Sequence, residues 1–370
     1  MASLVRRNLI RTYHRRFPVS ESRYYRLIRY RYMAPFRISP LFTRLATSVL
    51  LGSLLIMACN DNDDRVPPDP VPLPEVVAFT QPNLYPEGVQ YDAKNSRFLV
   101  GSQTAGTVGF VQDDGSYTAL SSDAALVSSI GMHLDDSRNR LLVAVSDPGY
   151  NKQRTLGTTL RKLARLVILN RDNGQLVRSV DLGGLSSAPN HFANDIAVDG
   201  QGNAYVTDSF APVIYKVDPL GVATIFLENS RLGAPAGAFG LNGIVFHPDG
   251  YLLVAKSNEG ALFKIPLANP SSFTRVTTSQ NLQAADGLLL QDNNTLQVVT
   301  NSQAKVYRLT TTDAWANATT SGTFTTQPQY PTTLARREGA DSYVLYSNLN
   351  ALQANQQPPV AQFSIVKVKF

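Results

Sequence analysis

Six stretches between Pro86 and Asn348 repeat one pattern of apolar and polar positions. Each has a small-residue step, a short alternating strand, a polar turn, and a second strand that ends in polar residues. The copies read PEGVQYDAKNSRFLVGS, SIGMHLDDSRNRLLVAVSD, ANDIAVDGQGNAYVTDS, LNGIVFHPDGYLLVAKSN, ADGLLLQDNNTLQVVTNS and PTTLARREGADSYVLYSN. Equivalent anchor positions fall at Glu87, Ile130, Asn194, Asn242, Asp286 and Thr332, at intervals of 43, 64, 48, 44 and 46 residues. That period belongs to arrays with one small sheet per repeat. The first strands alternate, as in Ile196-Ala197-Val198, whereas second strands such as Leu141-Leu142-Val143-Ala144-Val145 are continuously apolar. An unbroken apolar run is expected where neighbours cover both faces of a strand. Asp, Asn and Gly clusters between the paired strands, such as Pro248-Asp249-Gly250, supply the residues of tight hairpin turns.

Third and fourth strands follow less regularly, and no sustained helical period is found outside the leader. A four-stranded antiparallel sheet cannot bury both faces alone. Stacking six around an axis does so and protects the edges. The pattern therefore predicts an all-β chain, a six-bladed β-propeller. The sixth copy is one strand short, and a lone strand at Glu75–Phe79 is expected to join the last blade and close the ring.

Four of the six anchors carry a carboxylate or amide oxygen. If each first strand starts near the axis, Glu87, Asn194, Asn242 and Asp286 converge on the central channel. Two carboxylates and two amides form a hard oxygen set that suits Ca2+ or another hard divalent cation. Zinc is disfavoured, because the one thiol is Cys59 and His133, His191 and His247 miss the anchors. Gly88, Gly243 and Gly287 follow three of the anchors and would let the strands crowd the axis. Taken singly, Asn-Gly and Asp-Gly merely make turns; four oxygen-bearing anchors in one register imply more.

Charge is divided unevenly. Residues 1–58 carry eleven Arg and one acid, Glu21, whereas the remainder has 23 basic and 27 acidic residues. The basicity behind the overall charge of +6 thus lies in a leader, and no nucleic-acid surface is indicated. A complete signal peptide runs over 33–58, from Met33 through Arg37 and Arg44 to an apolar stretch at Leu45–Met57, which makes Met33 the expected start. That stretch is too short for a permanent membrane span. Ile56-Met57-Ala58-Cys59 resembles a bacterial lipobox, which implies lipidation at Cys59, a lipid anchor as the membrane contact, and an envelope location, periplasmic or surface-exposed. Residues 59–74 are rich in Asp and Pro and read as an extended tether. Residues 75–370 form one domain, expected to act as a monomer on a small molecule.

The motifs PEGVQYD, ANDIAVD, LNGIVFHPDG and ADGLLL, in that order over about residues 80–350, resemble the senescence marker protein/gluconolactonase family and its calcium-dependent phosphotriesterase relatives. The resemblance implies six blades and a catalytic Ca2+ held by Glu87, Asn194, Asn242 and Asp286, with Asp286 as general base or nucleophile. It implies hydrolysis of a lactone, ester or phosphoester. The rival reading is a Ca2+-braced propeller that binds a ligand or protein without turnover. Asp195 is expected to orient Asn194 from behind. Ser102, Asp147, Asp208, Lys256, Asn258 and Asn301, at the ends of second strands, are expected to wall the pocket, with His191 near its mouth. Two departures stand out: His191-Phe192-Ala193 replaces the arginine that gluconolactonases carry ahead of Asn194, which argues against a gluconate-type substrate, and Ile130 stands where paraoxonases have a histidine.

Overall fold

The computed structural model describes residues 72–337, 339 and 341–370. The leader, Cys59 and the tether as far as residue 71 lie outside the described residues. Among the described residues no helix is long and apolar enough to cross a membrane.

Every repeat folds as an antiparallel sheet whose strands run outward in chain order. Blade 1 comprises Val89–Asp92, Arg97–Val100, Val108–Val111 and Tyr117–Ser121. Blade 2 comprises Ser128–Asp135, Arg140–Ser146, Ala164–Asn170 and Leu176–Asp181. Blade 3 comprises Ala193–Val198, Ala204–Asp208, Val213–Val217 and Ala223–Glu228. Blade 4 comprises Leu241–His247, Tyr251–Lys256, Ala261–Pro266 and Thr274–Arg275. Blade 5 comprises Ala285–Asp292, Thr295–Thr300, Lys305–Thr310 and Asn317–Thr325, with Thr277–Thr278 added in parallel at its rim. Blade 6 takes Pro331–Arg336, Ser342–Tyr346 and Gln362–Lys367 from the C-terminal end and Val76–Thr80 from the N-terminal end. The ring thus closes as the short sixth repeat predicts, with Val77 opposite Ile365 and Phe79 opposite Phe363. The chain is a six-bladed β-propeller.

The long second interval is explained by an insertion, residues 147–163, between the second and third strands of blade 2. A short helix, Leu349–Gln353, interrupts blade 6 where no helix was expected. At one turn it is too short to leave a periodic signature.

Six apolar clusters fill the wedges between neighbouring blades. The second strands explain why their apolar runs do not alternate. Leu141, Val143 and Val145 face blade 1, whereas Leu142 and Ala144 face blade 3. Phe98 and Val100 likewise pack toward blade 6 while Leu99 packs toward blade 2. Each second strand therefore feeds two wedges, and burial of both faces drives the ring together.

Polar fasteners join the rims of blades 1 to 3. Arg97 Nε donates to Asp92 at 3.0 Å and its Nη2 reaches the Arg171 carbonyl of blade 2 at 3.0 Å. Five residues separate Asp135 from Arg140 as well; Arg140 Nε donates to Asp135 at 2.9 Å and its Nη2 reaches the Gly202 carbonyl of blade 3 at 2.6 Å.

The closing strand is held chiefly by Phe79, which is buried and whose ring centroid lies 5.8 Å from that of Phe363. Phe79→Ala is expected to lower the unfolding free energy by about 3–5 kcal/mol, measured by urea denaturation. Val76→Ala, at a position 51% exposed, is expected to change it by no more than about 0.5 kcal/mol. Equal effects at the two positions would mean that this strand does not close the core.

Candidate active site

Five of the six anchors sit at irregularities in the first strands, whereas Glu87 precedes the first strand of blade 1, which pairs in regular register. In blade 3 Ala193 pairs with Asp208 and Ile196 with Val206, so Asn194 and Asp195 together oppose Thr207. The same bulge recurs between Leu241 and Ile244, between Ala285 and Leu288, between Ser129 and Met132, and between Pro331 and Leu334. A bulge re-aims a side chain and steepens the local twist. The residue after the anchor meets the next blade at close range. A Cβ at Gly131 would lie 2.4 Å from the Asn194 carbonyl oxygen, and one at Gly243 would lie 2.3 Å from that of Asp286. Glycine is required here by proximity.

Glu87, Asn194, Asn242 and Asp286 are all buried, and together with Asp195 they line one cavity of about 10 Å3 at the hub. Three of the four are held by residues just past the second strands, at a constant offset of 15 residues. Asn194 Nδ2 donates to Ser209 Oγ at 2.8 Å, and Asn242 Nδ2 donates to Ser257 Oγ at 3.0 Å. Asn301 Nδ2 donates to Asp286 Oδ2 at 3.0 Å. Ser209 in turn gives its proton to the Leu241 carbonyl at 2.5 Å, and Ser257 gives its proton to the Ala285 carbonyl. A hydroxyl whose single proton is engaged can only accept from the amide. The nitrogen of each Asn is thereby fixed on its serine, and the amide oxygen is left as the free acceptor.

Two buried carboxylates and the half-buried Asp195 share this hub. Burial raises the pKa of Glu87 well above the usual carboxylate range, and the nearby charges of Asp286 and Asp195 raise it further. Burial likewise pushes Asp286 up to about 7 against hydrogen bonds from Asn301 and Asn242, with Asp195 adding to the rise. Asp195 is pushed up to about 7 by burial, against the backbone N–H groups of Ile196 and Ile244. Glu87 Oε2 is buried without a hydrogen-bond partner. An orphaned carboxylate oxygen, two fixed amide acceptors and an ion-sized cavity fit a hard divalent cation. Among the described residues no three His, Cys, Asp or Glu side chains form a metal-binding group by themselves, so binding here depends on the amides.

The hub forms the floor of a cavity of about 440 Å3, lined also by Gln103, Pro148, Tyr150, Phe192, Phe239, Asn258, Gln283, Asn301, Tyr330, Leu349 and Gln353. Asn258 and Asn301 thus stand in the wall as expected. Ser102, Asp147, His191, Asp208 and Lys256 do not, because each is tied into the scaffold. Ser102 Oγ donates to the Leu84 carbonyl at 2.8 Å. Asp147 accepts from Thr155 at 2.7 Å and Thr159 at 2.6 Å, closing the base of the insertion. Asp208 accepts from the backbone N–H groups of Phe192, Phe210 and Ala211 and lies 2.8 Å from His191 Nδ1. Burial opposes protonation of His191, but the Asp208 carboxylate prevails and raises its pKa. Lys256 Nζ donates to the Arg231 carbonyl at 2.9 Å and to Glu259 at 2.6 Å.

Asp195 does not orient Asn194. Its carboxylate accepts the N–H of Ile196 at 2.9 Å and that of Ile244 at 3.2 Å, and it lines a cavity on the opposite side of the hub, beside His133. Ser209 has the positioning role instead. Sequence reasoning stopped one residue short of it, although the offset of 15 from anchor to serine is visible along the chain. The aromatic wall was missed as well, since its residues come from loops outside the repeat.

No family model matches the chain, and no curated protein matches it either. Solved structures do. The major allergen Mala s 1 of Malassezia sympodialis is 17% identical over 80% of this chain and 97% of its own, with a TM-score of 0.65. Regucalcin from Agrobacterium tumefaciens, described as a calcium-binding protein, is 17% identical over 78% and 92%, with a TM-score of 0.54. A putative gluconolactonase is 14% identical over 79% and 93%, also at 0.54. At these identities the likeness is one of fold. Regucalcin and the gluconolactonase are propellers of the group that the sequence motifs resemble.

Raised carboxylate pKa values mean that the folded chain holds protons the unfolded chain has released. Their contribution to stability is complete below about pH 4 and is lost as pH rises through 7. The melting temperature without metal is therefore expected to fall between pH 5 and 8, and added Ca2+ is expected to raise it most at pH 8. A Ca2+ effect equal at both pH values, or none, would contradict this account of the hub. In the same titration Ser209→Ala is expected to weaken Ca2+ binding by roughly 10–100-fold, since its amide oxygen is no longer held in place.

Proposed function

We propose that the chain is a Ca2+-dependent hydrolase of lactones, esters or phosphoesters. The observation that carries the reading is the meeting of Glu87, Asn194, Asn242 and Asp286, remote in sequence, around one small cavity at the floor of an open pocket. The motif resemblance and the fold shared with regucalcin and the gluconolactonase support it. These four residues would hold the ion. When bound, Ca2+ supplies Lewis acidity to a carbonyl or phosphoryl oxygen.

The chain's residues do the rest. Asp286 sits at the pocket floor with one carboxylate oxygen fixed by Asn301, leaving the other to accept a proton from the attacking water. In the ester case the water oxygen bonds to the acyl carbon, the carbon–oxygen single bond to the leaving group breaks, and the departing oxygen takes up a proton. A lactone then opens to its hydroxy acid. Burial of the floor keeps other water from competing for these groups.

Asp286→Asn is expected to lower kcat by about 10²–10⁴-fold on whichever of the lactones, aryl esters or phosphotriesters the wild type hydrolyses in the presence of Ca2+. Wild-type protein that binds Ca2+ yet turns over none of the three classes would overturn the hydrolase reading in favour of a metal-braced binding propeller.

The reading extends to location. From the sequence at 56–59 the mature chain would begin at a lipidated Cys59 and hang the propeller from a membrane by residues 60–74. Radiolabelled palmitate is expected to enter the wild type and not Cys59→Ser. Equal labelling would remove the anchor.

A further inference from the structure

A second cavity, of about 410 Å3, lies on the opposite side of the hub from the candidate active site. Its apolar walls are Met132, Ile244, Phe246, Leu288, Leu290 and Leu334, brought together from the first strands of blades 2, 4, 5 and 6. Phe246 and Leu290 are only half-buried, so apolar surface remains for a ligand to cover. This cavity meets the small hub cavity at Asp195 and Thr333, which line both.

Charge is arranged by depth. Arg336 and Asp292 are the last residues of their strands, Pro331–Arg336 and Ala285–Asp292, and both are exposed at the mouth, where water screens them. Arg336 Nη2 donates to the Leu290 carbonyl, and Asp292 accepts the Asn294 N–H at 2.8 Å. Asp195 stands near the start of its strand, Ala193–Val198, and therefore at the inner end. Its carboxylate accepts two backbone N–H groups, from Ile196 and Ile244, and none of the ion pairs among the described residues reaches it. The remaining titratable group in the wall is His133, which is bonded to the Ile196 backbone and which burial keeps neutral by lowering its pKa to about 4. A neutral imidazole neither neutralises Asp195 nor repels a cation. The inner end thus offers a carboxylate without a counter-charge, with lone pairs to spare beyond the two in use, beside apolar walls. A cation with an apolar body is complementary to both features, and an ammonium brings three N–H donors to the carboxylate.

We propose that this cavity binds a primary ammonium carried on an apolar chain, the ammonium donating to Asp195 and the chain covering Phe246 and Leu290. The site does not depend on the hydrolase reading. Because Asp195 also faces the hub, the amine and a cation held there repel each other across a shared wall, and each weakens the other by the same factor.

Hexylamine and hexanol, alike in shape and different in charge, are titrated into the metal-free chain at pH 8.5, where the amine is protonated, with binding followed by NMR of the ligand. Hexylamine is expected to bind about tenfold tighter than hexanol. Asp195→Asn is expected to abolish that preference and to leave hexanol binding unchanged, which shows the cavity intact. Added Ca2+ then locates the amine in the wild type without any variant. From the far cavity its affinity is expected to fall several-fold and level off as Ca2+ saturates the hub, whereas an amine seated on Glu87 and Asp286 would be displaced without limit. Equal binding of amine and alcohol, a preference that survives Asp195→Asn, or displacement with no plateau would overturn the proposal. A chain that binds no Ca2+ would remove the metal-dependent hydrolase, and the alcohol comparison and Asp195→Asn would still decide the amine site.

Discussion

Like charge gathered in a dry place is the constraint on which this molecule turns. Glu87 and Asp286 lie buried around one hub with the half-buried Asp195 beside them, and none of the ion pairs among the described residues reaches them. In water each would ionise freely. At the hub Asp195 raises the pKa of Glu87 and Asp286, and Asp286 raises that of Glu87, so these carboxylates hold protons or share a cation. Every local device nearby serves to keep these oxygens in place despite that repulsion. Bulges turn Asn194, Asn242 and Asp286 inward, glycine lets neighbouring strands approach, and Ser209 and Ser257 pin the amides while stapling blade 3 to blade 4 and blade 4 to blade 5.

The opposing stabilisation lies farther out. Six apolar wedges, fed alternately by the buried second strands, hold the ring closed around its polar centre. Close packing transmits strain poorly tolerated elsewhere, so a displacement of one anchor must be matched by its neighbours. Thr332 Oγ1 extends the same stitching across the ring closure, donating to the Glu87 carbonyl at 2.8 Å. The oxygen-bearing hub side chains and the fold are thus coupled mechanically, blade to blade.

One mouth of the channel opens into the larger cavity, and its loops are fastened. Arg154 anchors the insertion to four carbonyls, and Asp208 caps the turn that presents Phe192 and Phe210. Such a pocket is largely formed before a ligand arrives, which lowers the entropy lost on binding. It also explains why Ser102, Asp147, Asp208 and Lys256, read from the sequence as strand-end wall residues, did not become so. A buried Asp or Lys is stable only with its partners in place, and here backbone N–H and carbonyl groups supply them.

The sequence by itself determined the number of blades, the closing strand and the four oxygen-bearing anchors. Periodicity reports burial, and burial on both faces of the second strands is written directly in residues such as Leu141 to Val145. Only the tertiary structure decided which neighbours orient the anchors, that Asp195 faces the far side, and that His191 serves Asp208 instead of the pocket. Those facts depend on which face of a bulged strand a side chain leaves and on what a loop from another blade brings beside it. A pairing across 15 residues, or a wall assembled from 192, 239 and 330, has no local period, so it exists only once the ring has closed.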